Sequence, residues 1–353
     1  MKFFSFVEKS PNQLKLRISQ QLQLSTLKVN LKTKPSQITY VILGGKFSKF
    51  DLKGYSDEYL QIGKPFQKRD KKSTIFKIIY LDEYLKKNSL HKLIEEIINQ
   101  YPKAVLITHA PSKIISNKRF SYYQIWNLKK HIPKTKICLI AFDTVSGKFW
   151  RLVRAKKLID LVFTMDNPKF IFKKRSEPKS IYCPSFNCNL QTENPVNHKE
   201  IDIWFCGQTN SYRLDRVSYI KELQKITGNL FLINSESIPV SQNEYYDTMA
   251  KSKIVVNFSE SFHGHQVKGR FWDALLSGAM VLEQKNPQLS EIFKSGIDFV
   301  EFESENDLLM KANHYLKFPN QRIKIAKTGQ LTAKKFIAQN NLLKSFEIEM
   351  NVK

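Results

Sequence analysis

Short unbroken apolar runs alternate along this chain with stretches in which apolar residues recur every three or four positions. The runs predict strands buried on both faces, and the spaced stretches predict helices. The first strand is Ile38–Leu43, ending at Gly44 and Gly45. Residues 46–73 are polar, include Lys68, Arg69, Lys71 and Lys72, and predict a long excursion. Then follow strand Ile75–Leu81, helix Glu83–Asn99, strand Ala104–Thr108, an aromatic-rich helix over 119–131, strand Ile137–Phe142, helix 147–158 and strand Leu161–Thr164. Residues 177–199 lose periodicity, gain prolines and asparagines, and read as a linker. The alternation restarts with strand 201–206, helix 215–226, strand Leu230–Ile233, helix 243–251 and strand Ile254–Phe258. Helix 270–277, strand 279–283, helix 287–294, strand 298–302 and helix 305–317 complete it, with a helical tail over 319–350.

Strands separated by helices mean parallel sheets covered on both faces. The predicted fold is α/β, with two Rossmann-like doubly wound domains facing a central cleft. The boundaries are residues 1–190 with an irregular extension over 1–36, a linker at 177–199, and a second unit over 200–334. A C-terminal helix over 335–353 is expected to pack back on the first domain. The 353 residues fit two domains at about 100–200 residues each. Ligands of such sheets sit beyond the carboxyl ends of the strands, so the strand-end loops are where chemistry is sought.

Composition narrows the function. An apolar content of 42% supports real cores and excludes global disorder. No run of about 18 apolar residues is present to span a membrane. The apolar stretch after Met1 meets Glu8 and Lys9 too soon for a signal peptide, and Cys138, Cys183, Cys188 and Cys206 lack metal-ligand spacing. A cytoplasmic location is expected, with peripheral contact to the inner membrane face open. The net charge of +25 is lopsided: residues 1–190 hold 37 Lys+Arg against 13 Asp+Glu, and the remainder hold 20 against 19. The first half therefore favours an anionic partner, whether nucleic acid, an acidic membrane surface or an acidic polymer. No helix-turn-helix, zinc or single-strand-binding signature supports nucleic acid.

In the second unit, strand 201–206 runs into Gly207, a polar loop, Arg213, Arg216 and a helix. The stretch Gln266–Glu283 opens with Lys268, Gly269 and Arg270, continues as a short apolar helix, and stops at Gly278, where a left-handed cap is expected. A cationic glycine loop opening a helix suits phosphate, because backbone N–H groups and the helix dipole point at the anion. Two such loops at strand ends of one sheet can converge on a diphosphate. Asp273 is expected in the first helical turn, where a carboxylate suits ribose hydroxyls. In the first unit His109, Asp143 and Asp166 follow strand ends. All three are expected to face the same cleft, with His109 as the general-base candidate and Asp143 as a second catalytic candidate.

These blocks resemble the donor-binding domain of GT-B glycosyltransferases, the group-1-like set related to spore-maturation CgeB-like proteins, over about residues 200–345. The likeness lies in Ile201–Gly207 with Arg216, in Tyr245 to Asn257, in Gln266 to Gly278, and in Leu289 to Phe293, Gly296, Asp307 and Pro319 to Gly329. The resemblance implies a basic acceptor-binding first domain and a second domain that binds a nucleotide-diphosphate-sugar donor. It implies transfer of a sugar from that donor without a metal, and no Asp-X-Asp triplet occurs; with the basic first half, the expected acceptor is a glycan, lipid-linked or other anionic molecule, as in cell-surface glycan biosynthesis. Lys268 and Arg270 would neutralise the leaving diphosphate. Asp273 stands where the family usually has Glu, and His265 where related retaining enzymes have a second Glu. Gly207, Arg213, Arg216, Gln266, Gly269 and Glu283 complete the implied donor site. Two other readings stay open: a nucleic-acid-binding protein using the basic half, and a non-catalytic sugar-nucleotide-binding homologue.

Overall fold

A computed structural model of the chain describes residues 38–45, 58–69, 74–108, 114–115, 118–141, 157–167, 178–184, 198–209, 214–235, 237–238, 240–259 and 265–352. The expected irregular extension 1–36 and helix 147–158 fall outside these residues, apart from the last two positions of that helix.

Two parallel sheets carry the fold. In the first, β1 (Ile38–Gly44), β2 (Thr74–Tyr80), β3 (Ala104–Ile107), β4 (Lys136–Ala141), β5 (Leu161–Thr164) and β6 (Lys179–Tyr182) lie in the order β2-β1-β3-β4-β5-β6. In the second, β7 (Ile201–Gly207), β8 (Leu230–Asn234), β9 (Ser252–Asn257), β10 (Met280–Gln284) and β11 (Val300–Phe302) lie in the order β8-β7-β9-β10-β11. Every neighbouring pair in both sheets is parallel. The order reverses between β1 and β3 and again between β7 and β9, which opens a crevice at the carboxyl ends. In the second sheet the register sets Gly207 opposite Asn234 and Asn257 opposite Glu283. The central strands are apolar throughout because both faces are covered: all of Ala104–Ile107 is buried.

Local chemistry moved several boundaries. The helix expected over Glu83–Asn99 is two, α1 (Leu81–Lys87) and α2 (Leu90–Asn99). The break falls where the Ser89 hydroxyl accepts from the Lys92 N–H at 3.1 Å and caps the second helix. The stretch expected as a polar excursion contains two helical turns, Glu58–Gly63 and Lys64–Gln67, which bury Ile62 and Phe66. The expected linker contains β6, paired with β5. The helix expected over 287–294 is a run of turns, tied at its start to the segment before α6 by Asn286, whose Nδ2 donates to Gln266 O, and by Gln288, whose Nε2 donates to His265 O. The remaining helices are α3 (Tyr122–His131), α4 (Leu214–Leu223), α5 (Gln242–Ala250), α6 (Gly269–Leu276), α7 (Glu305–Lys317), α8 (Pro319–Asn340) and α9 (Leu342–Met350).

The last two helices join the sheets. On α8, Gln330 donates to Leu276 O at 2.7 Å and Phe336 stacks on Trp272, fixing it to the second domain. A Cβ at Gly329 would lie 2.0 Å from Asp298 O, so only glycine permits that approach. Asn341 then breaks the helix and caps α9 by accepting from Lys344 N. Phe346 of α9 packs among Tyr40, Phe66, Phe76 and Phe163 of the first domain. Glu347 pairs with Arg69, Glu349 with Lys179, and Lys103 donates to Met350 O. The apolar contact is the larger stabiliser, since in each ion pair the basic partner is exposed to solvent.

Candidate functional site

The crevice of the second sheet is built from the ends of β7, β9 and β10, the segment 265–268 and the start of α6. Helix α6 begins at Gly269 because Lys268 is extended (φ −85°, ψ 145°) and Phe271, Trp272, Ala274, Leu275 and Leu276 are buried beneath it. It ends at Ser277, and Gly278 takes φ +72°, the left-handed conformation expected for it. The helix N-terminus, with its partial positive charge, therefore opens at the crevice. A Cβ on Gly269 would meet nothing within 4 Å, so the space before the first turn is open.

Arg270 folds back over the strand ends. Its Nη1 donates to Asn257 Oδ1 at 3.1 Å, and its guanidinium lies 5.3 Å from the Phe205 ring centre. A Cβ on Gly207 would stand 2.7 Å from Arg270 Nη2, so the glycine clears the seat of the arginine. Arg270 Nε is buried with no hydrogen-bond partner. Asn257 Nδ2 donates in turn to Glu283 Oε2 at 2.8 Å. Glu283 is 1% exposed. Burial pushes its carboxyl up to about 8, against the downward pull of the Asn257 and Ser259 hydrogen bonds and of the Arg270 and Arg216 charges.

Arg216 is also buried. It donates to Gln208 O at 3.2 Å and Phe258 O at 3.3 Å, tying the loop after β7 to the loop after β9. Gln266 N donates to Ser259 O, Asn286 Nδ2 to Gln266 O, and Gln288 Nε2 to His265 O. Lys268 Nζ contacts the Gln266 side-chain oxygen. His265 Nδ1 is buried without a hydrogen-bond partner.

The structure thus brings Gly207, Arg216, His265, Gln266, Lys268, Gly269, Arg270 and Glu283 to one end of one sheet. Asp273 is the fifth residue of α6, so it stands beyond the first turn, where it was expected, because the helix starts one residue earlier than the pattern suggested. His109, Asp143 and Arg213 lie outside the described residues. Asp166, past the end of β5, is fully buried. Sequence reasoning assigned no role to Asn257, Asn286 or Gln288, three buried amides. Asn257 carries one sequence signal, a polar residue closing an apolar strand, whereas Asn286 and Gln288 sit in the polar stretch that follows the next strand.

Comparison with known proteins agrees with this architecture. Residues 221–342 match the family model described as glycosyl transferase-like. No curated protein sequence matches the chain. Among solved structures, HepE from Anabaena in complex with UDP and glucose is 12% identical, with 89% of this chain and 99% of that chain covered at a TM-score of 0.58. Sucrose-phosphate synthase from Thermosynechococcus elongatus is 9% identical, covering 89% and 98%, at 0.59. The DNA-modifying enzyme beta-glucosyltransferase is 15% identical, covering 89% and 100%, at 0.58. At these identities the likeness is one of fold: two parallel-sheet α/β domains in the GT-B arrangement.

Glu283 gives this site a pH signature. A folded value of about 8 against the ordinary 4.5 means the native state keeps the proton longer. Stability from this group is therefore present below the ordinary value and is lost as pH rises through the folded one. Glu283→Gln should gain Tm relative to wild type between about pH 5 and pH 9, following that proton. A difference in Tm that stays constant with pH would remove the buried-carboxyl account.

Proposed function

We propose that the protein is a glycosyltransferase that takes a sugar from a nucleotide-diphosphate-sugar donor and passes it to an anionic, lipid-linked or glycan acceptor on the first domain. The observation that carries this reading is the convergence of the α6 N-terminus, Lys268 and Arg270 on the crevice between β7 and β9. As the bond from the sugar to the diphosphate breaks, negative charge grows on the leaving oxygen. Two cations and a helix N-terminus fixed beforehand stabilise that charge without reorganisation. Because the protein supplies this charge itself, we read the reaction as metal-independent. The order of the blocks from Ile201 to Gly329 supports the likeness to CgeB-like enzymes, and with it a role in cell-surface glycan synthesis. Asp273 is assigned to the ribose, and His265 and Gln266 to the donor side of the loop.

A thermal-shift series with UDP, GDP, ADP and CDP tests the donor site. One of them should raise Tm, by the equivalent of about 2.7 kcal/mol at a hundredfold excess over Kd. The shift should persist in EDTA and vanish in Lys268→Ala combined with Arg270→Ala. No shift with any of the four would remove the donor reading.

His109, which follows Thr108 at the carboxyl end of β3, is proposed as general base, and Asp143, in the sequence after β4, as a further catalytic residue. His109→Ala should reduce transfer by about a hundredfold or more, the scale of general-base catalysis, with diphosphate binding unchanged. Transfer at the wild-type rate would exclude it.

The anionic acceptor is supported by the charge of the first half and by the outer face of α3. There Trp126, 44% exposed, stacks on Tyr123 at 5.8 Å, and Lys130 Nζ lies 5.5 Å from the Trp126 ring centre. Aromatic rings with lysines suit the boundary of an anionic bilayer, which also accommodates the proposed cytoplasmic, peripheral location. No helix among the described residues is long and apolar enough to cross a membrane. Co-sedimentation should be strong with vesicles rich in anionic lipid, weak with neutral ones, and reduced in Trp126→Ala combined with Lys130→Ala. Equal sedimentation with both vesicle types would overturn the membrane assignment.

A further inference from the structure

A chain of buried amides runs from the first domain to the donor loop. Asn167, just past β5, donates its backbone N–H to Gln288 Oε1 at 2.9 Å and its Nδ2 to Glu291 Oε2 at 2.8 Å. The same Gln288 carboxamide donates through Nε2 to His265 O at 2.8 Å. One planar group thus uses its oxygen for the first domain and its nitrogen for the loop that leads to Lys268. Turning the amide over would set N–H against N–H and oxygen against oxygen, so its partners fix its orientation. Asn286 braces the arrangement: its Oδ1 accepts from Gln288 N at 3.0 Å, and its Nδ2 donates to Gln266 O at 3.1 Å. Gln288 and Asn286 are 0% exposed, and Asn167 and Gln266 are 2%.

Burial raises the stakes of each bond. A buried amide that loses its partner keeps its full desolvation cost, so these groups hold one arrangement or lose several bonds together. Adhesion between the domains does not need them, because Phe346 of α9 already supplies an apolar contact.

We propose that Gln288 and Asn167 are positioning residues that couple the first domain to the donor loop, so that donor binding and the seating of the first domain are one linked event. This rests on the donor-site reading given above. The loop segment 265–268 is held at His265 O by Gln288 and at Gln266 O by Asn286, and it delivers Lys268 and the start of α6 to the crevice. A diphosphate that favours this loop conformation favours the Asn167–Gln288 contact. By reciprocity the seated first domain tightens diphosphate binding by the same factor, in the usual range of about 5–150-fold.

The test uses the full chain, with UDP, GDP, ADP and CDP as probes and hydrogen exchange read by mass spectrometry. The bound nucleotide should slow exchange in the donor loop and also in the first-domain peptide covering residues 161–167. Gln288→Met, close in size and unable to make either bond, should bind the nucleotide at least about fivefold more weakly and lose the protection over 161–167. Gln288→Glu still accepts from Asn167 N yet cannot donate to His265 O, and should lose the same cross-domain protection. The variants' circular dichroism and Tm identify one that has not folded. If both variants fail to fold, the wild-type exchange decides. Nucleotide binding without protection over 161–167, or with protection unchanged in a folded variant, overturns the coupling and leaves the donor site standing. Failure of the wild type to bind any of the four overturns the donor site, and the coupling with it.

Discussion

Glu283 sets an ionisable carboxyl at full burial where a central strand of the second sheet ends, and the neighbouring side chains are arranged around satisfying it. Asn257 spends its amide on that carboxyl and its carbonyl oxygen on Arg270. Arg270 can lie there because Gly207 offers no side chain. Arg216, held by two backbone carbonyls, adds a second cation nearby and joins the loops on either side of the order reversal. Removing any one of these leaves another buried polar group without its partner, which is why the strand ends hold a single geometry. The phosphate-directed features, namely the helix N-terminus, Lys268 and Arg270, inherit their positions from this buried network.

The fold class was legible because its physics is written in every strand. Parallel strands covered on both faces must be apolar at successive positions, and Ile137 to Ala141 or Ile254 to Val256 show that without ambiguity. Misplaced boundaries came from residues that make local side-chain bonds. Ser89 divides one expected helix into two, and turns stand where a helix was expected after Asn286 and Gln288, whose side chains bond residues distant in the chain. The segment over 58–67 looked polar, yet Ile62 and Phe66 are buried, and Phe66 packs on the distant Phe346. No local pattern carries a contact across so many residues.

Of the candidate site, the cations and glycines were visible because phosphate chemistry asks for them at strand ends. The amides were not. Asparagine and glutamine are ordinary surface residues in a sequence, and only the three-dimensional register puts Asn257 against Glu283 or Asn167 against Gln288. Their role is to orient other groups, and orientation leaves no compositional mark.

Helix α9 gives the chain an unusual order of completion. The first domain contributes Tyr40, Phe66, Phe76 and Phe163 to a cluster whose centre, Phe346, is supplied more than two hundred residues after β4. During synthesis the amino-terminal domain is normally the first to mature. Here it leaves the ribosome with an aromatic socket exposed, and that socket stays open until residues 342–350 have been made. The second domain, whose sheet and crevice need no such late contribution from the first, can finish before it. The unit whose strands are made first is thus the one sealed last, and its aromatic socket waits uncovered while the whole second sheet is being made.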